Sequence, residues 1–284
     1  MDRRGVMAGL AATLAIPAAA ARAGKLPERK RLSVMSFNVR LPLESDGPNR
    51  WEARRELFIE TIARAMPDLI GTQELWKIQG DYLAERLPQL AWFGRDRRGG
   101  HDDEHMGVFY RRDRFRLIEQ GDFWLSDTPD VPGSISWGHP YPRMATWGCF
   151  EQIADRRRLW FINTHLPYRP EDEEARSKCA AQIAAWVAAR PAREPVILTG
   201  DFNTGPDSAA HRILTDKLVD ARMTAPLEAG PEGTFHGFSG TPGKRIDWIL
   251  SRGLEPIGAA TETFGRDGRY PSDHFPVIAL YGWK

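Results

Sequence analysis

The chain has 284 residues, 42% of them hydrophobic, and its 39 basic and 38 acidic side chains leave a net charge of +1. That length holds one large domain or two small ones and buries enough surface to fold without a disulfide scaffold or a metal staple. The charge balance excludes a general polyanion-coating protein, and the hydrophobic content excludes disorder. Two cysteines, Cys149 and Cys179, are too few for a cysteine-built zinc ribbon or a disulfide-dense mini-domain. They either pair in an oxidising compartment or stay as free thiols among apolar neighbours.

The first 23 residues read as an export signal. Arg3 and Arg4 precede an apolar, alanine-rich stretch from Gly5 to Ala21, and Ala21-Arg22-Ala23 resembles a small-residue cleavage site. Pro17 and the scarcity of Leu and Ile argue against a permanent membrane anchor. The arginine pair fits a twin-arginine signal, with an ordinary secretory signal as the alternative. Either predicts a periplasmic or secreted protein. Removing residues 1–23 leaves 36 basic and 37 acidic side chains, a net of −1. Residues 31–284 then read as one domain, expected as a monomer.

In chain order, the predicted strands are Leu32–Phe37, Asp68–Thr72, Met106–Tyr110, Thr146–Ile153, Leu159–Thr164, Val196–Gly200, Ile246–Ser251 and Val277–Tyr281. Between the first two, Asn49 and Glu52 have capping-box spacing. They predict a helix with the stripe Leu57, Phe58, Thr61, Ile62 and Ala65, closed by Pro67. Asp155-Arg156-Arg157 predicts a hairpin turn. A second helix is predicted after Pro170, with Cys179, Ile183, Trp186 and Val187 on one face. Strands interleaved with helices and a hairpin give an α/β architecture.

Polar residues fall where these strands end. Asn38 follows the first strand and Gln73-Glu74 the second; Asn163-Thr164-His165 and Asp201-Phe202-Asn203 end two more. Asp247 opens the seventh, and Ser272-Asp273-His274 precedes the last. Strand ends are where sheets build functional crevices. On an extended strand Asp201 and Asn203, two apart, would share a face. Any one of these residues alone reads as a turn or solvated group; the joint pattern reads as a site.

The set Ser36-Phe37-Asn38, Gln73-Glu74, Asn163-Thr164-His165-Leu166, Gly200-Asp201-Phe202-Asn203, Ile246-Asp247-Trp248 and Ser272-Asp273-His274 resembles the endonuclease/exonuclease/phosphatase superfamily, in order, from about Arg31 to Trp283. The resemblance implies a four-layer α/β sandwich of two packed, largely antiparallel sheets flanked by helices. Asn49-Arg50-Trp51, Phe123-Trp124-Leu125-Ser126, Thr234-Phe235-His236-Gly237 and Arg269-Tyr270-Pro271 look like a bacterial metal-dependent hydrolase branch. The chain departs from that branch at Pro167-Tyr168, where an Asp-His pair is expected.

The resemblance implies Mg²⁺ or Mn²⁺ held by Glu74 with Asn38 and Asp273, and oxygen donors suit either ion. It implies that Asp201 orients or deprotonates the attacking water and that Asn203 fixes a phosphate oxygen or the water. His274 would pair with Asp247, and His165 would touch a phosphoryl oxygen or assist the leaving group. Arg143 reads as a phosphate clamp or a structural ion pair. Asn163 is a candidate substrate or supporting residue. Glu104 is a candidate substrate contact within a His101–His105 run that otherwise reads as a solvated loop. Substrate choice is expected from the loops Leu41–Arg50, Gly94–His105, Ser126–Pro142 and Arg169–Glu174.

The expected function is a metal-dependent phosphodiesterase or phosphatase, with a non-catalytic binding module on the same fold as the alternative. Near-neutral charge does not support a nucleic-acid partner, although Arg95, Arg97, Arg98 and Arg156 to Arg158 are candidate local patches. An exported carbohydrate-active enzyme using paired carboxylates is the third reading. It leaves the repeated Asn and His placements unexplained.

Overall fold

A computed structural model describes residues 30–284, so the export-signal reading lies outside the described residues. The first strand, β1 (Arg31–Asn38), is apolar on both faces because it is central in its sheet. Leu32 and Val34 pack toward a second sheet, whereas Met35 and Phe37 pack with the helix residues Phe58, Ile59 and Ile62. The helix is α1 (Trp51–Ala65). It lacks the expected capping box: a 3-10 turn, Glu44–Asn49, delivers the chain to Arg50, and no side chain caps the helix. Met66, left-handed at φ 38°, closes it just before Pro67.

The chain continues through β2 (Leu69–Gln73), α2 (Lys77–Arg86), β3 (Leu90–Phe93), β4 (Val108–Arg111), β5 (Phe115–Trp124), β6 (Met144–Gln152) and β7 (Arg158–His165). Then come α3 (Glu173–Ala188), β8 (Val196–Asp201), α4 (Ala209–Thr215), β9 (Val219–Asp220), α5 (Ala221–Thr224) and β10 (Leu227–Ala229), and finally β11 (Asp247–Arg252), β12 (Leu254–Thr261) and β13 (Val277–Trp283). One sheet runs β10-β12-β13-β1-β2-β4-β3 and the other β5-β6-β7-β8-β11-β9. Most neighbours are antiparallel, with parallel pairing only at β1/β2, β7/β8 and β10/β12. The expected hairpin joins β6 to β7, with Arg156 at φ 64°.

In the second sheet Phe161, Ile197 and Ile249 face the first sheet, while Ile162, Leu198 and Leu250 face α3 and α4. Two sheets between two helical layers make the sandwich. Among the described residues no helix is long and apolar enough to cross a membrane. Cys149 and Cys179 are both buried and free, so the pairing alternative is not realised.

Polar contacts also join the sheets. Asn163 on β7 donates to the carbonyls of Thr72 (2.7 Å) and Gly107 (3.2 Å) and accepts from Gln73 and Thr199. Gly71 on β2 permits this approach, since a Cβ there would lie 2.0 Å from Thr199 Oγ1. All four of these hydrogen bonds are internal. Asn163 is therefore a pin between sheets, and its expected contact with substrate is corrected.

Candidate active site

The register of the second sheet sets three functional side chains in one row. His165 on β7 is paired with Asp201 on β8, and Asp201 with Asp247 on β11. The loop before β13 brings His274 over the same row. His274 Nδ1 lies 3.0 Å from Asp247 Oδ2, and its Nε2 lies 3.8 Å from Asp201 Oδ2. His165 Nε2 approaches the same Asp201 oxygen at 3.5 Å. Asn38 Nδ2, from the first sheet, donates to Asp201 at 2.9 Å. Thus residues more than 230 positions apart converge at one edge of the sandwich.

Asn203 enters differently from the expectation. Strand β8 ends at Asp201, and Asn203 adopts a left-handed conformation at φ 52°. Its backbone N–H donates to Asp201 Oδ1 (2.9 Å) and its Nδ2 to the Leu166 carbonyl (3.0 Å). A tight turn, rather than a shared strand face, places it beside Asp201.

The electrostatics separate the two imidazoles. Burial opposes charge on His274, but Asp247, Asp201 and Asp273 overcome it and raise its pKa to about 10. Burial and the cations Arg143, His274 and Arg97 hold His165 well below the ordinary histidine value. The surroundings therefore favour the charged form of His274 and the neutral form of His165. Burial, reinforced by Asp247, raises Asp201 to about 7 against the opposing pull of His274 and Asn38.

A second carboxylate pair adjoins this row. Glu74, itself left-handed at φ 58°, accepts from Asn38 Nδ2 (3.0 Å) and from the Leu41 N–H (3.1 Å). Asp273 accepts from Ser272 Oγ at 3.3 Å and lies 3.7 Å from Arg40 Nη1. Burial raises the Asp273 pKa, and Glu74 adds to the rise while His274 and Arg40 oppose it. Half-buried Glu74 and buried Asp273 offer hard oxygen donors, which suit a divalent cation such as Mg²⁺ or Mn²⁺. Asn38, expected as a supporting ligand, bridges the two groups of carboxylates. Its Oδ1 accepts from the Arg40 N–H and its amide hydrogens tie Glu74 to Asp201, so it links the cradle to the catalytic row.

Asp201, Asp247 and His274 also offer ligand atoms within 4.8 Å of one another. His274 faces a carboxylate with each nitrogen, Asp247 from Nδ1 and Asp201 from Nε2, so the trio can pass protons as well as present donors to a cation.

On the opposite wall Arg143 is buried, and its Nη1 has no hydrogen-bond partner among the described residues. It forms no ion pair there, so the structural-pair alternative is not realised. His165 Nδ1 is likewise unpartnered. Glu104 is buried and pairs with Arg97 Nη1 at 2.8 Å. Burial and Glu74 raise its pKa to about 7, against Arg97 and Arg143.

The loop carrying Glu104 is exposed at His101 and Asp102, as expected, but turns inward at Glu104 and His105, which are buried. Asp96, buried at its base, accepts from the N–H groups of Arg98, Gly100, Asp102 and Asp103, and His105 bonds the Leu75 carbonyl. Arg97 was legible only as a patch residue, yet it braces Glu104 and lies 4.7 Å over the Tyr141 ring. Four of the other candidate patch arginines are paired, Arg95 with Asp122, Arg98 with Asp103, Arg156 with Glu151 and Arg157 with Asp155, whereas Arg158 is exposed and in no ion pair among the described residues.

A cleft of about 600 Å³ opens from Asn203, walled by Tyr168, Pro170, Pro206, Asp207, Glu232 and Lys244. Arg176 and Arg245 also line it, but Arg176 is held by the Pro167 and Arg169 carbonyls and Glu173, and Arg245 by Asp220.

The Endonuclease/Exonuclease/phosphatase family profile matches residues 35–274. A solved family protein from Bacteroides thetaiotaomicron superposes with a TM-score of 0.84 at 30% identity, covering 89% of this chain and 98% of that one. A mannosyl-6-phosphatase from the same organism superposes at 0.81 with 31% identity, covering 88% and 99%. An uncharacterised protein of Acanthamoeba polyphaga mimivirus is 30% identical over 167 residues, covering 55% of this chain and 60% of that protein. The chain spans about half the length, or less, of the other curated relatives first matched, 50% and 37%.

Proposed function

The chain belongs to the endonuclease/exonuclease/phosphatase family, and from that premise we propose that it is an exported, divalent-metal-dependent phosphomonoesterase acting on a sugar phosphate. One observation carries the phosphoester reading: the buried guanidinium of Arg143 has an Nη1 without a hydrogen-bond partner among the described residues, and Glu104, Asp201 and Glu74 are near enough to act on its charge. A buried unpaired cation is costly, and an anionic ligand resolves it.

In this reading Arg143 and the His274 imidazolium hold phosphate oxygens, with Asp247 fixing the orientation of His274 and favouring its charge. Asp201, near its own pKa at neutral pH, takes the proton of the attacking water. The Asn203 N–H and Asn38 amide keep that carboxylate aimed. Neutral His165 offers its free Nδ1 to a phosphoryl oxygen. A divalent ion on Glu74 and Asp273 would neutralise phosphate charge and stabilise the leaving oxygen.

The substrate class rests on the cleft beside Asn203 and on the likeness to the mannosyl-6-phosphatase. Its two buried arginines are already engaged, so no free guanidinium awaits a second phosphate. Hydroxyl-seeking carboxylates and the Tyr168 ring suit a neutral polyol. The paired surface arginines support the same choice over nucleic acid. Export rests on the pattern of residues 1–23 and is checked by the N-terminus of the periplasmic protein.

The test is turnover with Mg²⁺ or Mn²⁺ on hexose monophosphates, hexose bisphosphates, a chromogenic phosphodiester and single-stranded RNA. Preference for the monophosphates and loss of turnover in Asp201→Asn are expected. Preference for RNA or the diester would refute the substrate reading, and full activity of Asp201→Asn would refute the site.

A further inference from the structure

Arg54 lies on α1, in none of the strand-end motifs, and is 2% exposed. Its guanidinium meets no carboxylate directly. It donates instead to five backbone carbonyls: Val39 (2.7 Å), Pro271 (2.8 Å), Arg40 (2.6 Å), Asn49 (3.0 Å) and Leu41 (3.4 Å). The donors of a planar fork are thus spread over three separate pieces of chain.

Two of those pieces carry the proposed cation cradle. Val39, Arg40 and Leu41 follow Asn38, and the Leu41 N–H holds Glu74. Pro271 leads into Ser272-Asp273-His274. The ladder between β1 and β13 ends at the pairing of Ser36 with Val277, so the loops beyond it have no backbone ladder to set their separation. Arg54 Nη1 spans that gap by holding the Val39 and Pro271 carbonyls together. The Ser272 hydroxyl adds a tie to the Asn38 carbonyl at 2.7 Å.

The geometry points to Arg54 as the positioning residue of the cation site: it fixes the distance between the loop that holds Glu74 and the loop that carries Asp273. This inference rests on the cradle assignment made above. Lysine cannot reproduce the clasp, because one ammonium cannot span both loops and the Asn49 carbonyl in a fixed plane. Groups that orient metal ligands without touching the ion typically control affinity by about 10- to 100-fold.

The experiment measures Mn²⁺ binding to the purified full chain by calorimetry and by the loss of the free-ion electron paramagnetic resonance signal. Arg54→Lys is compared with Ile62→Val, a buried change on the same helix away from the site. Binding about 10- to 100-fold weaker in Arg54→Lys, with Ile62→Val unchanged at matched thermal stability, is the expected result. Equal affinity in both variants overturns the inference while leaving the cradle intact. A wild-type chain that binds no Mn²⁺ overturns the cradle and the inference with it. A measurement on the wild type covers a substituted chain that does not fold. The Arg54 Nε–H resonance should be protected from solvent and should shift when diamagnetic Mg²⁺ is added, and an unshifted resonance counts against the clasp.

Discussion

The molecule contains two buried aspartate–histidine pairs of nearly the same length. His274 meets Asp247 at 3.0 Å in the site, and His211 meets Asp220 at 2.9 Å beneath α4. Around Asp220 every demand is met: Arg245 donates to both carboxylate oxygens at 2.7 Å, the Arg222 N–H adds a third donor, and Trp248 packs edge-on against His211. Around Asp247 the demands are unequal. Its Oδ1 has no partner among the described residues, and a second aspartate faces the far side of its histidine. An Asp–His pair is therefore no mark of chemistry. Unsatisfied polar atoms and crowded like charges mark the site, whereas a closed network marks scaffold.

The largest expected contrast is in turnover. His274→Ala should lower kcat by about 10³-fold, within the span of acid–base contributions. His211→Ala should leave kcat near wild type while lowering thermal stability. A fully folded His211→Ala enzyme without activity would break the distinction. Stability should reverse the ranking. Asp220→Ala strands Arg245 as a buried cation and should cost about 3–5 kcal/mol in urea unfolding. Asp201→Asn should cost far less, because it relieves repulsion with Asp247.

Arg143→Met comes next. Loss of a charged donor to substrate, about 1.5–3 kcal/mol, should reduce kcat/KM by about 10- to 100-fold while raising the unfolding midpoint, because an unpaired buried cation is removed. The two aspartates should then differ in pH dependence. Burial works against ionised Asp220, but His211 and Arg245 prevail and its pKa is lowered. Its contribution to stability is present above the unfolded carboxylate value and is lost as pH falls through the folded one. Asp201, raised to about 7, behaves oppositely: its native carboxylate holds a proton that the unfolded chain has released, so stability declines between about pH 4 and 7. In a chelator, Asp220→Asn should flatten the acid limb and Asp201→Asn the decline toward neutrality. Unchanged slopes would contradict the assignment.

The sequence exposed the site better than its supports. Central strands such as β1, β7 and β8 are continuous apolar runs, and the polar residue closing each one stands out. Strand β5 was not predicted, because its exposed middle, Ile118 to Gln120, breaks the alternation along a sheet edge. Helix α2 was missed as well, since Gly80 and its charged residues leave no strong stripe; Gly80 is required because a Cβ there would lie 2.8 Å from the Trp92 ring. Arg54 and Arg97 act through long side chains reaching carbonyls and carboxylates far away in space, which spacing along a chain does not reveal. Asn163 shows the converse. Its motif placed it correctly at a strand end, but only the first sheet, bonding it from the other side, shows that its amide is fully used.

The smallest predicted effect lies at the rim, where neither description of a buried pair applies. Tyr168 is 51% exposed, stacks on Tyr141 with ring centroids 6.4 Å apart, and walls the cleft next to Asn203. It touches none of the acid–base row, so Tyr168→Ala should leave kcat and the unfolding midpoint unchanged. A ring contact is worth about 0.5–1.5 kcal/mol beyond its area, which corresponds to a rise in KM of about two- to tenfold for a sugar phosphate. The same change should leave KM for inorganic pyrophosphate, which has no ring to stack, unaffected. Equal effects on both ligands would move Tyr168 from the substrate wall to the scaffold, and with it the boundary between the two kinds of region.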